Sequence, residues 1–344
     1  MLLPQSKIDD FVKIIANHQS FVLTCHTNPD GDALGSTLAL RKALLNMRKT
    51  ATVVTPDLPP SYYSWMRGFK TLKTYEREVD ECNKIIDEAD VVFVMDYNDL
   101  KRVKTLGEKL ATCTSKCFVM IDHHLDPQLK TNLMFSYPES AATCEVVYNI
   151  LVNAGYEQYI DEDVASNIYT GIMTDTGGLS YNSSNPEIYL TVANLLTKGI
   201  DKPAIHEKIF NNKTIRRLKL LGYTLSHKLR RIEKYPLALM TLTASELEQY
   251  NYNTGDTEGF VNYPLQVKDV IATAFIMERP DGVKISLRSK GNFPVNEFSA
   301  KYYGGGGHKN AAGGNFTGSI DDAVKIYTDN IVDFYGKWLK SQAK

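Results

Sequence analysis

The sequence predicts an α/β fold: an N-terminal domain with a doubly wound, mostly parallel sheet, a helical linker, and a smaller C-terminal α+β domain. Up to about residue 175, short apolar runs of strand length alternate with longer segments of helical periodicity, which is typical of a parallel sheet covered by helices. From Pro236 onwards, closely spaced runs of strand character predominate instead. The length of 344 residues is sufficient for two such domains.

The elements of the N-terminal domain alternate in a regular order. An opening helix is expected over residues 6–17, with Ser6 as its N-cap, because a serine hydroxyl commonly accepts a bond from the first helical turn. FVLTCH (21–26) follows as a strand that ends at His26. The remaining predicted elements are a helix over 33–47, strands over 51–55, 89–96 and 117–122, and helices over 142–155 and 161–175.

The linker and the C-terminal domain have different patterns. Residues 202–234 predict a connecting helical region, because Leu218, Leu221 and Leu225 recur at helical spacing. A Pro-Asp-Gly turn at 280–282 predicts a hairpin between the last two strands of the C-terminal domain. The strands expected in that domain are 237–242, 270–278 and 283–289.

Composition and charge exclude several classes of protein. The net charge is −1, so the chain lacks the broad cationic surface that binds long duplex nucleic acid. No apolar run is long enough to span a bilayer, and the first ten residues do not resemble a signal peptide, so no membrane partner is expected. The five cysteines are scattered and odd in number, which indicates reduced thiols in a cytoplasmic protein.

Acidic and imidazole side chains cluster at the ends of the predicted strands. His26, Asp30 and Asp32 fall in one turn, where Gly31 is expected to let the backbone bend between the two acids. Because parallel strands end at the same edge of a sheet, residues far apart in sequence converge there. Charged groups at such positions are costly to bury unless cations neutralise them. The candidate metal ligands are His26, Asp30, Asp32, Asp96, His123 and Asp175.

This donor set predicts two divalent cations, with Asp96 able to contact both. The set is rich in oxygen, contains two imidazoles and lacks thiolate, which favours Mn²⁺ over a structural zinc, with Mg²⁺, Co²⁺ or Fe²⁺ as alternatives. Two such ions activate water and bind a phosphoryl oxygen, so a hydrolase is expected. Taken singly, each residue also has a structural interpretation, such as a turn aspartate or a helix cap.

Five ordered motifs resemble those of the DHH phosphoesterase family and of the DHHA1 domain that accompanies it. The third motif is Asp122-His-His124, and the glycine-rich segment 304–314 resembles the DHHA1 signature. The other three motifs are His26-Thr-Asn-Pro-Asp-Gly-Asp-Ala-Leu-Gly-Ser36, Val94-Met-Asp96 and Thr170-Gly-Ile-Met-Thr-Asp175-Thr-Gly. The resemblance implies a DHH catalytic domain over 1–200, a helical linker over 201–234 and a DHHA1 substrate-binding domain over 235–344.

The resemblance also implies roles for individual residues. His124, the second histidine of the third motif, would face the substrate and stabilise the transition state or protonate the leaving oxygen. Asp122 would orient an imidazole from behind. The first ion would be held by His26, Asp30 and Asp96, and the second by Asp32, Asp96, His123 and Asp175.

The glycine run of the C-terminal domain has two interpretations. As a plain loop it would only supply flexibility. Alternatively, its amides would lead into a short helix that begins in HKNAA (308–312), and together they would bind an anion. Arg288, on the preceding strand, could bind a phosphate or carboxylate, or could lie on the surface. The resemblance assigns substrate binding to this region, with Arg288, Gly306, Gly307 and His308 as candidates.

Among two-domain members of the family, the chain resembles the nanoRNase (oligoribonuclease) and 3′,5′-bisphosphonucleoside phosphatase type, which is related to exopolyphosphatases. The resemblance implies hydrolysis of short oligoribonucleotides to nucleoside 5′-monophosphates, and of 3′-phosphoadenosine 5′-phosphate to AMP. Alternatives are a phosphodiesterase for linear or cyclic dinucleotides, a pyrophosphatase or exopolyphosphatase, and a nucleotide-binding regulatory module without catalysis. The expected partners are a short RNA or nucleotide and, since dimers are common in the family, a second copy of the chain.

Overall fold

The computed structural model describes residues 3–113 and 116–342, and the chain divides into two compact units, Met1–Asn212 and Lys213–Lys344. The first unit has a parallel sheet and the second a mixed sheet, so the predicted fold class is confirmed. Among the described residues, no helix combines the length and hydrophobicity needed to cross a bilayer.

A parallel sheet lies at the centre of the first unit. Its six strands, counted over the described residues, follow the order β3-β2-β1-β4-β5-β6, and all neighbours are parallel. The winding direction reverses between the first strand and the fourth, as in other doubly wound sheets. The strands are β1 (Ser20–Thr24), β2 (Thr50–Thr55), β3 (Lys73–Thr74), β4 (Val91–Met95), β5 (Cys117–Asp122) and β6 (Leu133–Ser136).

Helices cover both faces of this sheet. Along β1, Phe21 and Leu23 pack into one apolar core, whereas Val22 between them packs into another, because successive side chains of a strand point to opposite faces. The first core includes residues of α1, α2, α5 and α6, and the second includes residues of α3 and α4. The helices are α1 (Gln5–Asn17), α2 (Gly31–Asn46), α3 (Val79–Glu88), α4 (Lys104–Thr112), α5 (Thr143–Asn153), α6 (Glu162–Asp175), α7 (Pro186–Leu196) and α8 (Lys202–Phe210).

Two local predictions for this unit are wrong. Helix α1 begins at Gln5 after Pro4, and no side chain caps it, so Ser6 is not its N-cap. Proline already has the dihedral angle that leads into a helix. Gly31 is not a bend, because it is the first residue of α2. A Cβ atom there would collide with the Thr174 side chain, so glycine allows close packing of α2 on α6.

The second unit contains a mixed sheet in the order β11-β12-β10-β9-β8-β7, counted over the described residues. Strands β8 and β9 are parallel and the other neighbouring strands are antiparallel. The predicted hairpin turn joins β9 to β10. The elements are α9 (Ile215–Tyr223), β7 (Arg230–Arg231), β8 (Leu237–Leu242), α10 (Ala244–Gln249), β9 (Ala272–Arg279), β10 (Gly282–Ser289), α11 (Val295–Tyr303), β11 (Gly306–His308), β12 (Ala311–Phe316) and α12 (Ile320–Gln342).

Two predictions for this region also need correction. The HKNAA segment does not begin a helix: β11 and β12 form an antiparallel hairpin there. A Cβ atom at Gly307 would collide with the Ala311 carbonyl oxygen, so glycine permits the tight strand pairing. In the predicted apolar stripe, Leu218 is 49% exposed and Leu221 is buried, because α9 turns a different face inward.

Candidate metal centre and nucleotide pocket

The predicted ligands lie where three adjacent strands end. Strands β1, β4 and β5 are parallel neighbours, so the residues that follow them share one edge of the sheet. His26 lies two residues beyond β1, and Asp96 directly follows β4. Asp122 is the last residue of β5, and His123 comes after it. This edge includes the point between β1 and β4 where the winding direction reverses, a usual ligand-binding position in α/β sheets.

One group of donor atoms combines His26, Asp30 and Asp96, whose ligand atoms lie within 4.8 Å of one another. The Nε2 atom of His26 is 3.3 Å from Asp96 Oδ2 and 3.9 Å from Asp30 Oδ1. Asp30 is also the N-cap of α2, where it accepts hydrogen bonds from the main-chain N–H groups of Asp32 and Ala33. His26 and Asp96 are buried, whereas the Asp30 side chain is 54% exposed, so the group is open to solvent at Asp30.

A second group combines Asp32, Asp96 and His123, with ligand atoms again within 4.8 Å of one another. The Nε2 atom of His123 is 3.9 Å from Asp32 Oδ2 and 3.7 Å from Asp96 Oδ1. Asp175 adjoins this group, with its Oδ2 atom 3.6 Å from the same Nε2. Asp96 therefore belongs to both groups and presents a different oxygen to each. The structure brings all six sequence-predicted ligands together at this edge.

The two imidazoles have the tautomer that metal binding requires. Nδ1 of His26 bonds the Thr27 carbonyl oxygen at 2.8 Å, and Nδ1 of His123 bonds the Ser140 carbonyl oxygen at 3.2 Å. Since a carbonyl oxygen only accepts, Nδ1 carries the proton in both rings, and each Nε2 faces carboxylates. A lone pair on Nε2 is unfavourable beside carboxylates unless a cation or an extra proton lies there. The donor set therefore fits divalent cations.

The pKa values of these side chains reflect uncompensated negative charge. Burial by itself lowers the pKa of His26, but the hydrogen bond with Asp96 and the charges of Asp30 and Asp96 raise it to about 9. Burial also lowers the pKa of His123, and the surrounding carboxylates raise it to about 9. Burial raises the pKa of Asp175 to about 7, against the opposing charge of His123. Positive charge is thus strongly favoured here.

His124 and Asp122 form a pair beside the second group. The Nδ1 atom of His124 lies 2.7 Å from Asp122 Oδ1, and Asp122 is fully buried, so this bond orients the ring. The same Nδ1 is 3.7 Å from Asp96 Oδ1. The rings of His123 and His124 meet edge to face, with centroids 5.0 Å apart. The short bond between Asp122 and His124 is consistent with Asp122 orienting the His124 ring. The catalytic roles of the two residues stay predictions.

Sequence reasoning missed the groups that hold the carboxylates in place. The N–H groups of Thr143 and of the next residue donate to the two oxygens of Asp32, at 2.6 and 2.8 Å, and the Thr143 hydroxyl donates to Asp96 Oδ1 at 3.0 Å. Asp57 accepts the N–H of Asn28 with both oxygens, at 2.8 and 3.1 Å, which fixes the loop of the first motif. In the structure, the start of α5 lacks a capping side chain, but no local sequence pattern predicts these contacts.

The second unit contains a cavity of about 410 Å³ on one face of its sheet. Lys284, Ser286 and Arg288 of β10 line it and alternate with core residues along the strand. Ser286 pairs with Gly313, which in turn pairs with Gly306, so two of the three residues in this row have no side chain. The cavity therefore combines cationic side chains with a floor of glycine main chain.

Of the predicted substrate-binding residues, Arg288 and Gly306 line this cavity together. Gly307 and His308 follow on β11 and are not among the lining residues. Sequence reasoning missed Lys284, whose pKa is lowered by burial. Its place in an alternating strand, two residues after the hairpin turn, gave no distinct signal.

Arg217, one of the basic residues of the linker region, binds the loop that forms one wall of the same cavity. Its guanidinium donates to the carbonyl oxygens of Gly255, Asp256 and Glu258 and lies 5.1 Å from the centre of the Phe260 ring. Glu258 and its neighbours on either side line the cavity. Arg217 therefore shapes the pocket through the loop that it binds.

Comparison with known proteins identifies both units. The family model described as "DHH family, N-terminal domain" matches residues 20–172, and the "DHHA1 domain" model matches residues 237–333. A solved structure of an exopolyphosphatase-related protein from Bacteroides fragilis is 40% identical and has a TM-score of 0.95, covering 98% of this chain and 99% of that one. The chain belongs to the DHH phosphoesterase family. The resemblance stated from the sequence is confirmed, and the two candidate sites lie in the DHH and DHHA1 domains.

Further matches cover most of this chain. The bifunctional oligoribonuclease and PAP phosphatase NrnA of Thermus thermophilus is 28% identical over 305 residues, which are 88% of this chain and 86% of the relative. RecJ of Thermus thermophilus, solved in complex with Mn²⁺, is 12% identical with a TM-score of 0.56, covering 95% of this chain and 55% of that one. That likeness shows that the DHH fold is shared.

Proposed function

We propose that this DHH protein is a metal-dependent phosphoesterase that hydrolyses short oligoribonucleotides to nucleoside 5′-monophosphates and 3′-phosphoadenosine 5′-phosphate (PAP) to AMP. The observation that carries the proposal is the pair of donor groups that share Asp96 through its two oxygens. The names of the Thermus thermophilus and other NrnA relatives support the choice of substrates. The five free cysteines suit a cytoplasmic protein.

The donor set supports two Mn²⁺ ions. Four carboxylates with two neutral imidazoles give a formal charge of −4, which two divalent cations balance. Mn²⁺ accepts this mixture of oxygen and imidazole ligands, and the RecJ neighbour was solved with the same ion. Bound ions would supply an activated water and neutralise phosphoryl charge. His26, Asp30 and Asp96 would hold one ion, and Asp32, Asp96, His123 and Asp175 the other.

The protein's own groups would then orient the substrate and move a proton. Asp122 accepts from Nδ1 of His124, which leaves Nε2 of that ring as the atom that holds a proton for the leaving oxygen. In the DHHA1 domain, Arg288 and Lys284 would bind a nucleotide phosphate by charge-assisted hydrogen bonds. A cavity of about 410 Å³ is within the usual range for small-ligand pockets, which suits a nucleotide.

A turnover panel tests the proposal. The purified protein would be assayed with Mn²⁺ on a dinucleotide, a five-residue RNA, PAP, a cyclic dinucleotide and pyrophosphate, with an EDTA-treated sample as control. We expect the dinucleotide, the short RNA and PAP to be hydrolysed, and EDTA to abolish turnover. Preference for pyrophosphate would favour the exopolyphosphatase-related alternative, preference for the cyclic dinucleotide would favour the dinucleotide phosphodiesterase, and nucleotide binding without turnover would favour a regulatory module.

A further inference from the structure

Thr143 is not a candidate metal ligand, but it makes a buried hydrogen bond to one of the ligands. Its hydroxyl donates a hydrogen bond to Asp96 Oδ1 at 3.0 Å, and the exposed fractions of the two residues are 0% and 2%. The two residues are 47 positions apart in sequence, on α5 and directly after β4. A buried bond to a carboxylate is stronger than one between neutral groups, so this contact is a substantial restraint on Asp96.

Asp96 needs such a restraint because its two oxygens have different neighbours. Oδ2 lies 3.3 Å from His26 Nε2, whereas Oδ1 lies 3.7 Å from His123 Nε2. The terminal torsion of an aspartate side chain has a broad energy minimum, so rotation would readily turn each oxygen away from its group. The hydroxyl of Thr143 bonds Oδ1 only, and this fixes which oxygen faces which group.

The start of α5 departs from the usual capping pattern. Its N-cap is Ala142, which makes no side-chain cap bond, although a threonine stands one position later. A threonine at the N-cap would stabilise the helix by roughly 1 kcal/mol over alanine. Here the Thr143 hydroxyl bonds Asp96, and the N–H groups of Thr143 and Cys144 bond the two oxygens of Asp32. Departures of this kind are expected at functional sites.

We propose that Thr143 is a positioning residue of the metal centre. Its hydroxyl holds the Asp96 carboxylate in the one orientation that serves both donor groups, while the same helical turn holds Asp32. The inference rests on the proposed function, because it gives Asp96 the role of a ligand shared by two ions.

The test compares Thr143→Val, which keeps the shape and removes the hydroxyl, with Thr143→Ser, which keeps the hydroxyl. Thr37→Val is the matched control, since Thr37 is also buried in a helix and its hydroxyl bonds only carbonyl oxygens of its own helix, those of Ala33 and Leu34. Mn²⁺ binding would be measured by calorimetry and by loss of the free-ion EPR signal, alongside kcat and melting temperature.

We expect Thr143→Val to weaken Mn²⁺ binding about 10- to 100-fold, as for other residues that orient metal ligands, and to lower kcat. Thr143→Ser and Thr37→Val should resemble the wild type in both measurements. Equal Mn²⁺ affinity and kcat in folded Thr143→Val would overturn the inference. A folded Thr143→Ser variant whose Mn²⁺ binding is about 10- to 100-fold weaker than that of the wild type would also overturn it. This second result can be obtained even if Thr143→Val does not fold. Failure of the wild type to bind Mn²⁺ would instead contradict the proposed function.

Discussion

The candidate metal centre of the DHH domain is made of buried charged side chains, whereas the DHHA1 cavity combines glycine main chain with cationic and apolar side chains. In the first, Asp32 and Asp96 are about 1–2% exposed, and hydrogen bonds from Thr143 restrain both. In the second, glycines form the floor, and Arg288 and Lys284 stand at its sides. A substitution in the first region therefore disturbs charge balance and catalysis together. A substitution in the DHHA1 cavity should instead change substrate affinity, with little effect on the chemical step.

The substitution with the largest expected effect is Asp96→Asn. Because both donor groups lose a charged oxygen, kcat should fall by roughly 10³-fold or more, as expected when a metal site that contributes several kcal/mol is disrupted. Turnover of a dinucleotide and bound Mn²⁺ would be measured. Asp99→Asn is the matched control, since Asp99 caps a short 3-10 helix at the surface and asparagine also caps well. Near-normal turnover in Asp96→Asn would remove Asp96 from the metal centre.

His124→Ala separates proton transfer from metal binding. The loss of a positioned acid should lower kcat about 10²- to 10⁴-fold. Mn²⁺ content should stay at the wild-type level, because His124 bonds Asp122 through Nδ1 and belongs to neither set of predicted ligands. Elemental analysis of the purified variant, together with single-turnover rates, would check both statements. A loss of bound Mn²⁺ would recast His124 as a ligand.

Metal removal should make stability depend on pH. In the metal-free protein, the pKa values of His26 and His123 are raised from 6.5 to about 9, and that of Asp175 from 3.8 to about 7. All three groups bind protons more tightly when folded, so their stabilising effect is lost as pH rises through 7 and then 9. Melting temperatures measured from pH 6 to 9 should therefore fall. Mn²⁺ at 100 times its Kd should restore about 2.7 kcal/mol.

At a fixed Mn²⁺ concentration, the gain in stability should increase with pH, because protons compete with the ions for the same atoms and the Kd for Mn²⁺ therefore falls as pH rises. An EDTA-treated sample and a Ca²⁺ sample would serve as controls at each pH. A gain that is constant or shrinks towards pH 9 would show that the ions do not replace protons at these residues.

In both candidate sites, the sequence predicted the features that are marked by a local residue pattern. Apolar runs that stop at Asp96 and Asp122 gave the strand ends, and the parallel topology then brought those ends together. The contact of Thr143 with Asp96 depends on how α5 packs, and no local pattern encodes it. Gly31 resembled a turn residue in the sequence. In the structure, glycine is needed there because a Cβ atom would collide with the side chain of Thr174 on another helix. Short segments such as 308–312 follow their tertiary pairing, here of β12 with β10, rather than their own propensity.

Arg288→Ala tests the cavity by affinity. Loss of a charge-assisted hydrogen bond of about 1.5 kcal/mol or more should raise KM for a short nucleotide roughly tenfold. The kcat for a minimal chromogenic phosphodiester should be unchanged, because that substrate lacks a second phosphate. Lys325→Ala, which removes an exposed cation on α12, is the control for general charge effects. Equal losses on both substrates would contradict an anchoring role.

Gly306→Ala is the smallest change and tests the shape of the cavity. No atom lies within 4 Å of the position that a Cβ would take at Gly306, so the fold should accept the methyl group. Because Gly306 lines the cavity, the methyl group should cost about 1 kcal/mol of nucleotide affinity, a KM increase of roughly fivefold. The melting temperature should stay at the wild-type value.

Two other glycine-to-alanine variants serve as controls for Gly306→Ala. Gly305→Ala would place a Cβ against the main chain of Gly313, so it should lower the melting temperature. Gly336→Ala, on α12 with open space around it, should change neither KM nor the fold. An unchanged KM in Gly306→Ala would mean that the nucleotide does not enter this cavity. A lowered melting temperature in Gly306→Ala would mean that Gly306, like Gly305, is needed for strand packing. The glycine floor would then serve the fold rather than nucleotide binding, and this difference between the two candidate sites would be wrong.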